Sequence, residues 1–198
     1  MRTLIIDNYD SFTYNLVHLV KGNVASEVSV IRNDELSIED VDVFDNILLS
    51  PGPGLPSESG LLVPIIEKYK NSKPMLGVCL GMQAIGEVFG AKLINLDKPL
   101  HGIGTPITHD GSCLFDAIPQ TFEVGRYHSW IIDSNTLSKD LKITAKDADG
   151  QPMALEHNKL PIFAVQFHPE SILTEYGREL IINFFEIYKK GSNNKLLG

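Results

Sequence analysis

Short, mostly apolar runs alternate with helical patterns along the first half of the chain. The runs are three or four residues long, which is typical of strands buried on both faces of a sheet. They predict strands at residues 4–6, 28–31, 47–49 and 75–78. The segments between and after them predict helices at residues 13–21, 37–44, 61–69 and 80–89. Strands that alternate with helices indicate βαβ units, and therefore a mainly parallel sheet with helices on both faces.

The pattern changes after residue 90, where apolar segments become short and are separated by turn signals. These signals are Asp97-Lys98-Pro99, His109-Asp110-Gly111, Asp149-Gly150 and Asn158-Lys159. They predict antiparallel ribbons added to the parallel core, and an amphipathic helix over residues 176–190 closes the chain. We therefore expect an α/β, flavodoxin-like doubly wound fold. Residues 1–191 would form a single domain and residues 192–198 a flexible tail.

Composition excludes several classes of protein. The chain has 198 residues, 43% hydrophobic and 21% charged, which argues against disordered and fibrous proteins. No apolar stretch approaches the roughly 20 residues of a membrane helix, and the N-terminus lacks the apolar region of a signal peptide. The formal net charge of −8 argues against nucleic acid or an anionic membrane as the main partner. With two cysteines and no export signal, we expect a cytoplasmic protein with free thiols.

The strongest chemical signal is the segment Gly77-Val78-Cys79-Leu80-Gly81. A nucleophile between two glycines, at the junction of a predicted strand and a predicted helix, is typical of a nucleophile elbow. The N-terminus of the helix would favour the thiolate of Cys79, and the N–H of Leu80 would point to where an oxyanion forms. Taken alone, the pattern also fits a small buried cysteine in a glycine-rich turn.

A base for this nucleophile follows the strand predicted at residues 162–166. His168 lies at the carboxyl end of that strand, and Glu170 is placed to orient its imidazole. The carboxyl ends of parallel strands meet at one edge of a sheet, so Cys79 and His168 are expected to be neighbours. His-Pro-Glu alone fits a surface turn as well, but together with the elbow it predicts a catalytic triad.

A third segment, Pro51-Gly52-Pro53-Gly54-Leu55-Pro56, follows another predicted strand. The N–H of Gly54 could donate a second hydrogen bond to the oxyanion, although a stiff turn is the simpler interpretation. The segment matches neither the Walker loop nor the GxGxxG fingerprint. His101, His109 and Cys113 have no usual zinc spacing, so no metal site is predicted.

In combination, these motifs resemble those of the class I, triad-type glutamine amidotransferases, and the resemblance covers nearly the whole chain. Residues 51–56 resemble the oxyanion loop of that family, residues 76–81 its nucleophile elbow, and residues 168–170 its remaining triad members. The opening segment at residues 7–13 and the segment at residues 124–129 are similar to those of two glutaminase subunits. These subunits belong to anthranilate synthase and to aminodeoxychorismate synthase.

The resemblance implies a glutaminase with Cys79 as nucleophile, His168 as acid and base, and Glu170 as the group that orients His168. A γ-glutamyl thioester would form on Cys79, with an oxyanion hole made by the backbone N–H groups of Gly54 and Leu80. Glutamine would be bound by Gly52, Pro53, Gly54, Gln83, and the backbone of Ser129 and Trp130. Relatives often have lysine at the position of Ile103 and leucine at that of Trp130, so an interface role of that lysine is in doubt here.

The resemblance also implies a protein partner, a separate chorismate-using synthase subunit that receives the ammonia. No cofactor is expected on this chain, and Mg²⁺ is expected on the partner. Anthranilate synthase in tryptophan biosynthesis is the preferred assignment. Aminodeoxychorismate synthase in folate biosynthesis, or a subunit shared by both, stays open. The alternatives are a stand-alone γ-glutamyl cysteine hydrolase and a non-catalytic flavodoxin-like binding or redox module.

Overall fold

A computed structural model describes residues 1–194, which form nine strands in one sheet and four α-helices. The strands are β1 (Arg2–Asp7), β2 (Glu27–Arg32), β3 (Asn46–Leu49), β4 (Met75–Val78), β5 (Leu93–His109), β6 (Thr121–Ile132), β7 (Leu141–Asp147), β8 (Pro152–His157) and β9 (Ile162–Val165). The helices are α1 (Thr13–Asn23), α2 (Leu62–Tyr69), α3 (Leu80–Val88) and α4 (Gly177–Asn194). None of these helices is long and apolar enough to cross a membrane.

The sheet has the order β2-β1-β3-β4-β9-β8-β7-β5-β6. The first five strands in this order are parallel, and β9 is the point where the pairing becomes antiparallel. This confirms the predicted parallel core with antiparallel ribbons. Because parallel strands present their carboxyl ends at the same edge, β3, β4 and β9 deliver the three predicted active-site segments side by side.

The core has two layers, one on each face of the sheet. Alternate residues of a strand point to opposite faces, so Ile5 packs with α1 and α4 while the adjacent Leu4 and Ile6 pack with α2 and α3. The helices contribute residues such as Leu16 and Phe184 to the first layer. Both faces are covered, which confirms the doubly wound arrangement.

One predicted turn in the second half is wrong. Asp97-Lys98-Pro99 lies inside β5, which continues through it to His109. The pairing of β5 with β6 jumps at this point, from Asn95 opposite Trp130 to Leu100 opposite His128. The residues between them are accommodated as a bulge rather than a chain reversal. The other predicted turns do separate strands, at the end of β5, between β7 and β8, and between β8 and β9.

Several helix ends differ from the prediction. The first helix is predicted to end at residue 21, but α1 continues through Gly22 to Asn23, whose side-chain amide donates to the carbonyl oxygen of Leu19 over 2.8 Å. The helix predicted at residues 37–44 is a short 3-10 helix, Glu39–Val43. α4 extends past the predicted end at residue 190, to Asn194. The remainder of the predicted tail, residues 195–198, lies outside the described residues.

Candidate active site

Cys79 occupies the junction between β4 and α3 with an unusual backbone conformation, φ 52° and ψ −102°. Positive φ is rare for a residue with a side chain. The backbone strain that it causes is found mainly at functional sites. The N–H of Cys79 donates to the carbonyl oxygen of Val165 over 2.8 Å, which ties the turn to the end of β9. The cysteine therefore lies at the start of a helix and beside the strand that carries the predicted base.

The glycines on either side of this turn are required by close packing. A Cβ atom on Gly77 would lie 2.6 Å from the backbone of Gly81, and one on Gly81 would lie 2.5 Å from the carbonyl oxygen of Leu49. Neither backbone neighbour can move without displacing the elbow or β3. The glycine spacing of the motif is thus explained by the turn that it forms.

His168 and Glu170 form a buried pair after β9. Nδ1 of His168 lies 2.7 Å from Oε1 of Glu170. The backbone N–H of His168 donates to the carbonyl oxygen of Gly125 over 3.1 Å, and the hydroxyl of Thr174 donates to its carbonyl oxygen over 2.6 Å. The histidine is therefore fixed by its main chain as well as by its ring.

Neighbouring groups keep His168 protonated, with its pKa raised to about 10. Burial alone would lower the pKa, but interactions with Cys79 and Glu170 raise it by more. Nε2 of the ring is buried and has no hydrogen-bond partner within residues 1–194. An imidazolium next to Cys79 favours the thiolate form of the cysteine.

Two aromatic rings cover His168. The ring centroids of Phe12 and Tyr127 lie 5.2 and 4.9 Å from that of the imidazole, and 4.8 Å from each other. Phe12 was not identified as a site residue from the sequence. Phe12 lies in the segment at residues 7–13, which the sequence analysis used only for its resemblance to two glutaminase subunits.

The rest of that segment supports the predicted oxyanion loop. The side chain of Asn8 donates to the carbonyl oxygen of Ser50 over 2.8 Å, and its backbone N–H donates to the Ser50 hydroxyl over 2.9 Å. A Cβ atom on Gly52 would lie 2.6 Å from Asn8 and 2.5 Å from the side chain of Leu80. Gly54 follows with φ 73°. The loop and the start of α3, which carry the two predicted oxyanion donors, are therefore in contact.

Gln83 and Gln166 line the same region. The Gln83 amide donates to the carbonyl oxygen of Trp130 over 2.9 Å, and it lies 3.4 Å from Oε1 of Gln166. The Gln166 amide in turn lies 3.6 Å from Sγ of Cys79. Gln166 was not predicted as a site residue. Its signal in the sequence was a polar residue at the end of an otherwise apolar predicted strand, and in the structure it is fully buried.

The remaining predicted residues are placed as follows. Pro53 belongs to the loop between Gly52 and Gly54, and Ser129 precedes Trp130 on β6. Ile103 is 44% exposed on β5, opposite Arg126. In residues 1–194, no group of three or more histidine, cysteine or acidic side chains is arranged to hold a metal ion.

Comparisons with known proteins agree with this arrangement. The family model for class-I glutamine amidotransferases matches residues 4–187. The chain is 42% identical to aminodeoxychorismate/anthranilate synthase component 2 of Bacillus subtilis, over 94% of this chain and 97% of that protein. It is 45% identical to anthranilate synthase component 2 of Pseudomonas aeruginosa, over 91% and 93%.

Two further matches concern a longer protein and a solved structure. The chain is 44% identical to the bifunctional protein TrpGD of Thermotoga maritima, over 94% of this chain but only 32% of that protein. A crystal structure from Thermoplasma acidophilum, described as that of a GMP synthase subunit, superimposes with a TM-score of 0.88 at 26% identity. That match covers 98% of this chain and 97% of the other. The elbow, the buried His–Glu pair and the family match lead to one conclusion: this chain belongs to the class I glutamine amidotransferases.

Proposed function

We propose that this chain is the glutaminase subunit of anthranilate synthase. In this role it hydrolyses glutamine and passes the ammonia to a separate chorismate-using synthase subunit. The observation that carries the proposal is the buried His168, which is bonded to Glu170 over 2.7 Å and kept protonated by Cys79 and Glu170 together. A thiolate beside an imidazolium that a carboxylate orients is the arrangement required for cysteine-dependent attack on an amide.

In the first half-reaction, the Cys79 thiolate attacks the carbon of the glutamine side-chain amide. The tetrahedral oxyanion accepts hydrogen bonds from the backbone N–H groups of Gly54 and Leu80. As the C–N bond breaks, its electron pair leaves with nitrogen, and the imidazolium of His168 supplies the proton that completes ammonia. A γ-glutamyl thioester remains on Cys79.

In the second half-reaction, water replaces ammonia. Neutral His168 removes a proton from water as its oxygen attacks the thioester carbon. The same oxyanion donors stabilise the second tetrahedral intermediate. The C–S bond then breaks and its electron pair returns to sulfur, which restores the thiolate and the imidazolium and releases glutamate. Glu170 keeps the imidazole in one orientation and stabilises the charge that His168 regains.

Substrate recognition is assigned to the groups around this centre. The loop Gly52-Pro53-Gly54 would bind the reacting end of glutamine, whereas Gln83 and the backbone of Ser129 and Trp130 would bind its amino-acid end. Support comes from Gln83, which is buried and bonded to the Trp130 carbonyl. The recognition elements are therefore braced against one another before substrate binds.

The synthase partner follows from the chemistry of ammonia. Free ammonia in neutral water becomes mostly ammonium, which has no lone pair for attack, so it must reach its acceptor by a protected route. We propose that the synthase subunit stimulates the glutaminase, which prevents wasteful hydrolysis. We also propose a cytoplasmic location, where a reducing environment keeps Cys79 as the free thiol seen in the structure.

A second candidate is the glutaminase subunit of aminodeoxychorismate synthase, or one subunit that serves both synthases. The name of the Bacillus subtilis relative, which includes both activities, favours the shared form. Both candidates use the same chemistry in this chain and differ only in the synthase that receives ammonia.

Glutamate release with and without each synthase subunit tests these assignments. We expect glutamate release from glutamine to rise when chorismate and the anthranilate synthase subunit are added. Stimulation only by the aminodeoxychorismate synthase subunit would assign the chain to folate biosynthesis. Stimulation by both would identify a subunit shared by the two synthases. Glutaminase activity that neither subunit changes would contradict the proposal and favour a stand-alone hydrolase.

The two cysteines provide a matched pair of variants for the same assay. Cys79→Ser should abolish glutamine hydrolysis, whereas Cys113→Ser, at an exposed position, should leave it unchanged. Substantial turnover by Cys79→Ser would contradict the assignment of the nucleophile.

A further inference from the structure

His128 is a buried histidine on β6 whose two ring nitrogens are both engaged. Nε2 lies 3.1 Å from Nε of Arg126, and Nδ1 lies 3.1 Å from the carbonyl oxygen of Trp130. The residue is only 5% exposed.

The partners of Arg126 determine which nitrogen of His128 carries the proton. The guanidinium of Arg126 bonds Asp147 over 2.7 Å and Gln151 over 3.0 Å, so its orientation is fixed. A guanidinium only donates hydrogen bonds, and Nε2 of His128 must therefore accept the one from Arg126. The ring proton is then on Nδ1, where it is donated to the Trp130 carbonyl.

The Trp130 carbonyl is held from two sides. It accepts hydrogen bonds from Nδ1 of His128 and, over 2.9 Å, from the side chain of Gln83 on α3. This part of β6 faces the β5 bulge, where the pairing jumps from Asn95 to Leu100. Regular sheet pairing is interrupted there. The Ser129–Trp130 backbone is therefore held by the side chains of Gln83 and His128 instead.

We propose that His128 is a positioning residue of the glutaminase reaction. As the Nδ1–H tautomer it holds the Trp130 carbonyl together with Gln83, and thereby sets the Ser129–Trp130 backbone that binds the amino-acid end of glutamine. The inference rests on the proposed function and deepens it, because it adds a residue behind the glutamine subsite.

The charges around His128 are consistent with a neutral ring. Burial lowers its pKa to about 3, and the positive charges of Arg126 and His168 act in the same direction. The hydrogen bond to Trp130 and the charge of Asp147 act against this shift. Two neighbouring histidines therefore have opposite states at neutral pH: His168 is charged for proton transfer and His128 is neutral for positioning.

A pair of isosteric variants separates the donor at Nδ1 from the acceptor at Nε2. In His128→Asn the amide nitrogen can replace Nδ1 as donor to the Trp130 carbonyl. In His128→Gln the amide reaches the position of Nε2, so the acceptor for Arg126 is kept and the donor is lost. His109→Gln is the control for a buried histidine, since His109 bonds Pro119 and stacks on Phe115, outside the site.

The variants are assayed for glutamate release in the complex with the synthase subunit. Loss of one hydrogen bond that positions substrate should raise KM for glutamine about 3- to 10-fold in His128→Gln, with a smaller change in kcat. KM should be restored close to the wild-type value in His128→Asn and unchanged in His109→Gln. Alkylation of Cys79 by iodoacetamide, which needs no glutamine subsite, should proceed at the same rate in all of them.

Two results would overturn the inference. One is a wild-type KM in His128→Gln. The other is an equal rise of KM in the Asn and Gln variants, which would assign His128 to general packing. Failure of the proposed function itself would be visible in the wild-type protein, as no glutamate release with either synthase, and is thus distinct from failure in the variants alone.

Discussion

The carboxylate oxygen Oε1 of Glu170 lies 2.7 Å from Nδ1 of His168. The side chain of Glu170 is 0% exposed and that of His168 is 2% exposed. A charge-assisted hydrogen bond between groups so fully removed from water is strong, because solvent cannot replace either partner. The carboxylate therefore both orients the imidazole and favours its charged form. Loss of that charge should affect the reaction more than it affects the fold.

Replacement of Glu170 by glutamine tests this pair. The amide keeps the shape of the side chain but removes the negative charge, so kcat for glutamine hydrolysis should fall at least about 10-fold. The loss should not exceed about 10⁴-fold, the upper end of what general acid–base catalysis typically contributes. Glu175→Gln is the matched control, since Glu175 is exposed and bonds only backbone of the adjacent strand in the contacts described. Equal kcat values in the two variants would contradict the role of Glu170.

The raised pKa of His168 predicts the pH dependence of Cys79 alkylation. A histidine whose pKa is raised to about 10 keeps its proton below that pH and loses it above. His168 should therefore stay positively charged beside Cys79 through neutral pH, and this charge should make iodoacetamide react with Cys79 faster than in His168→Asn between about pH 7 and 9. The advantage over the variant should disappear only as His168 loses its proton, at about pH 10. Rates are best measured in a Cys113→Ser background. A wild-type rate equal to the variant's throughout this range would refute the pairing.

The backbone of Cys79 predicts an unusual effect on stability. A residue with a side chain at φ 52° carries strain of about 1–3 kcal/mol, which glycine does not experience. Glycine loses about 0.5–1 kcal/mol through its greater freedom in the unfolded chain. Cys79→Gly should thus be more stable than Cys79→Ala by about 1 kcal/mol, seen as a Tm higher by roughly 2–4 °C. Thermal unfolding of the two inactive variants decides the matter, and a higher Tm for Cys79→Ala would disprove the strain.

His128 predicts a loss of stability in acid. Its pKa is lowered to about 3 in the folded protein, against about 6.5 in the unfolded chain. Below about pH 6.5 the unfolded chain binds a proton that the folded protein does not. Stability therefore falls with decreasing pH, by up to about 1.4 kcal/mol per unit from this group. Asparagine does not titrate, so the urea midpoint of His128→Asn should decline less steeply between pH 6.5 and 4. Parallel declines would show that His128 does not contribute.

The parallel half of the fold and the proximity of Cys79, His168 and Glu170 were predictable from sequence because each depends on local patterns. The spacing of apolar residues predicted the strands and helices. The rule that parallel strands end at the same edge of a sheet then placed Cys79 and His168 together. The end of α1 was mispredicted because helix termini depend on particular contacts. Gly22 is tolerated inside the helix, while the side chain of Asn23 bonds Leu19. In the same way, a bulge in β5 and a turn have the same sequence signature around Pro99.

The surroundings of the triad could not be read from sequence. Arg126, His128 and Asp147 form one network, but its members are separated by up to 21 positions and meet only because β6, β5 and β7 are neighbours in the sheet. The contact of Gln166 with Cys79 spans 87 positions. Such long-range pairs leave no local period, and only an isolated polar residue in an apolar strand indicates them.

Site-specific labelling by a chloroketone analogue of glutamine tests the central claim most directly. If Cys79 is the nucleophile of a glutamine site, mass spectrometry should find the label on the Cys79 peptide and not on the exposed Cys113. Added glutamine should slow the labelling, and His168→Asn should slow it further at neutral pH. Labelling of Cys113 alone, or labelling of Cys79 that glutamine does not slow, would contradict a glutaminase built on Cys79, His168 and Glu170.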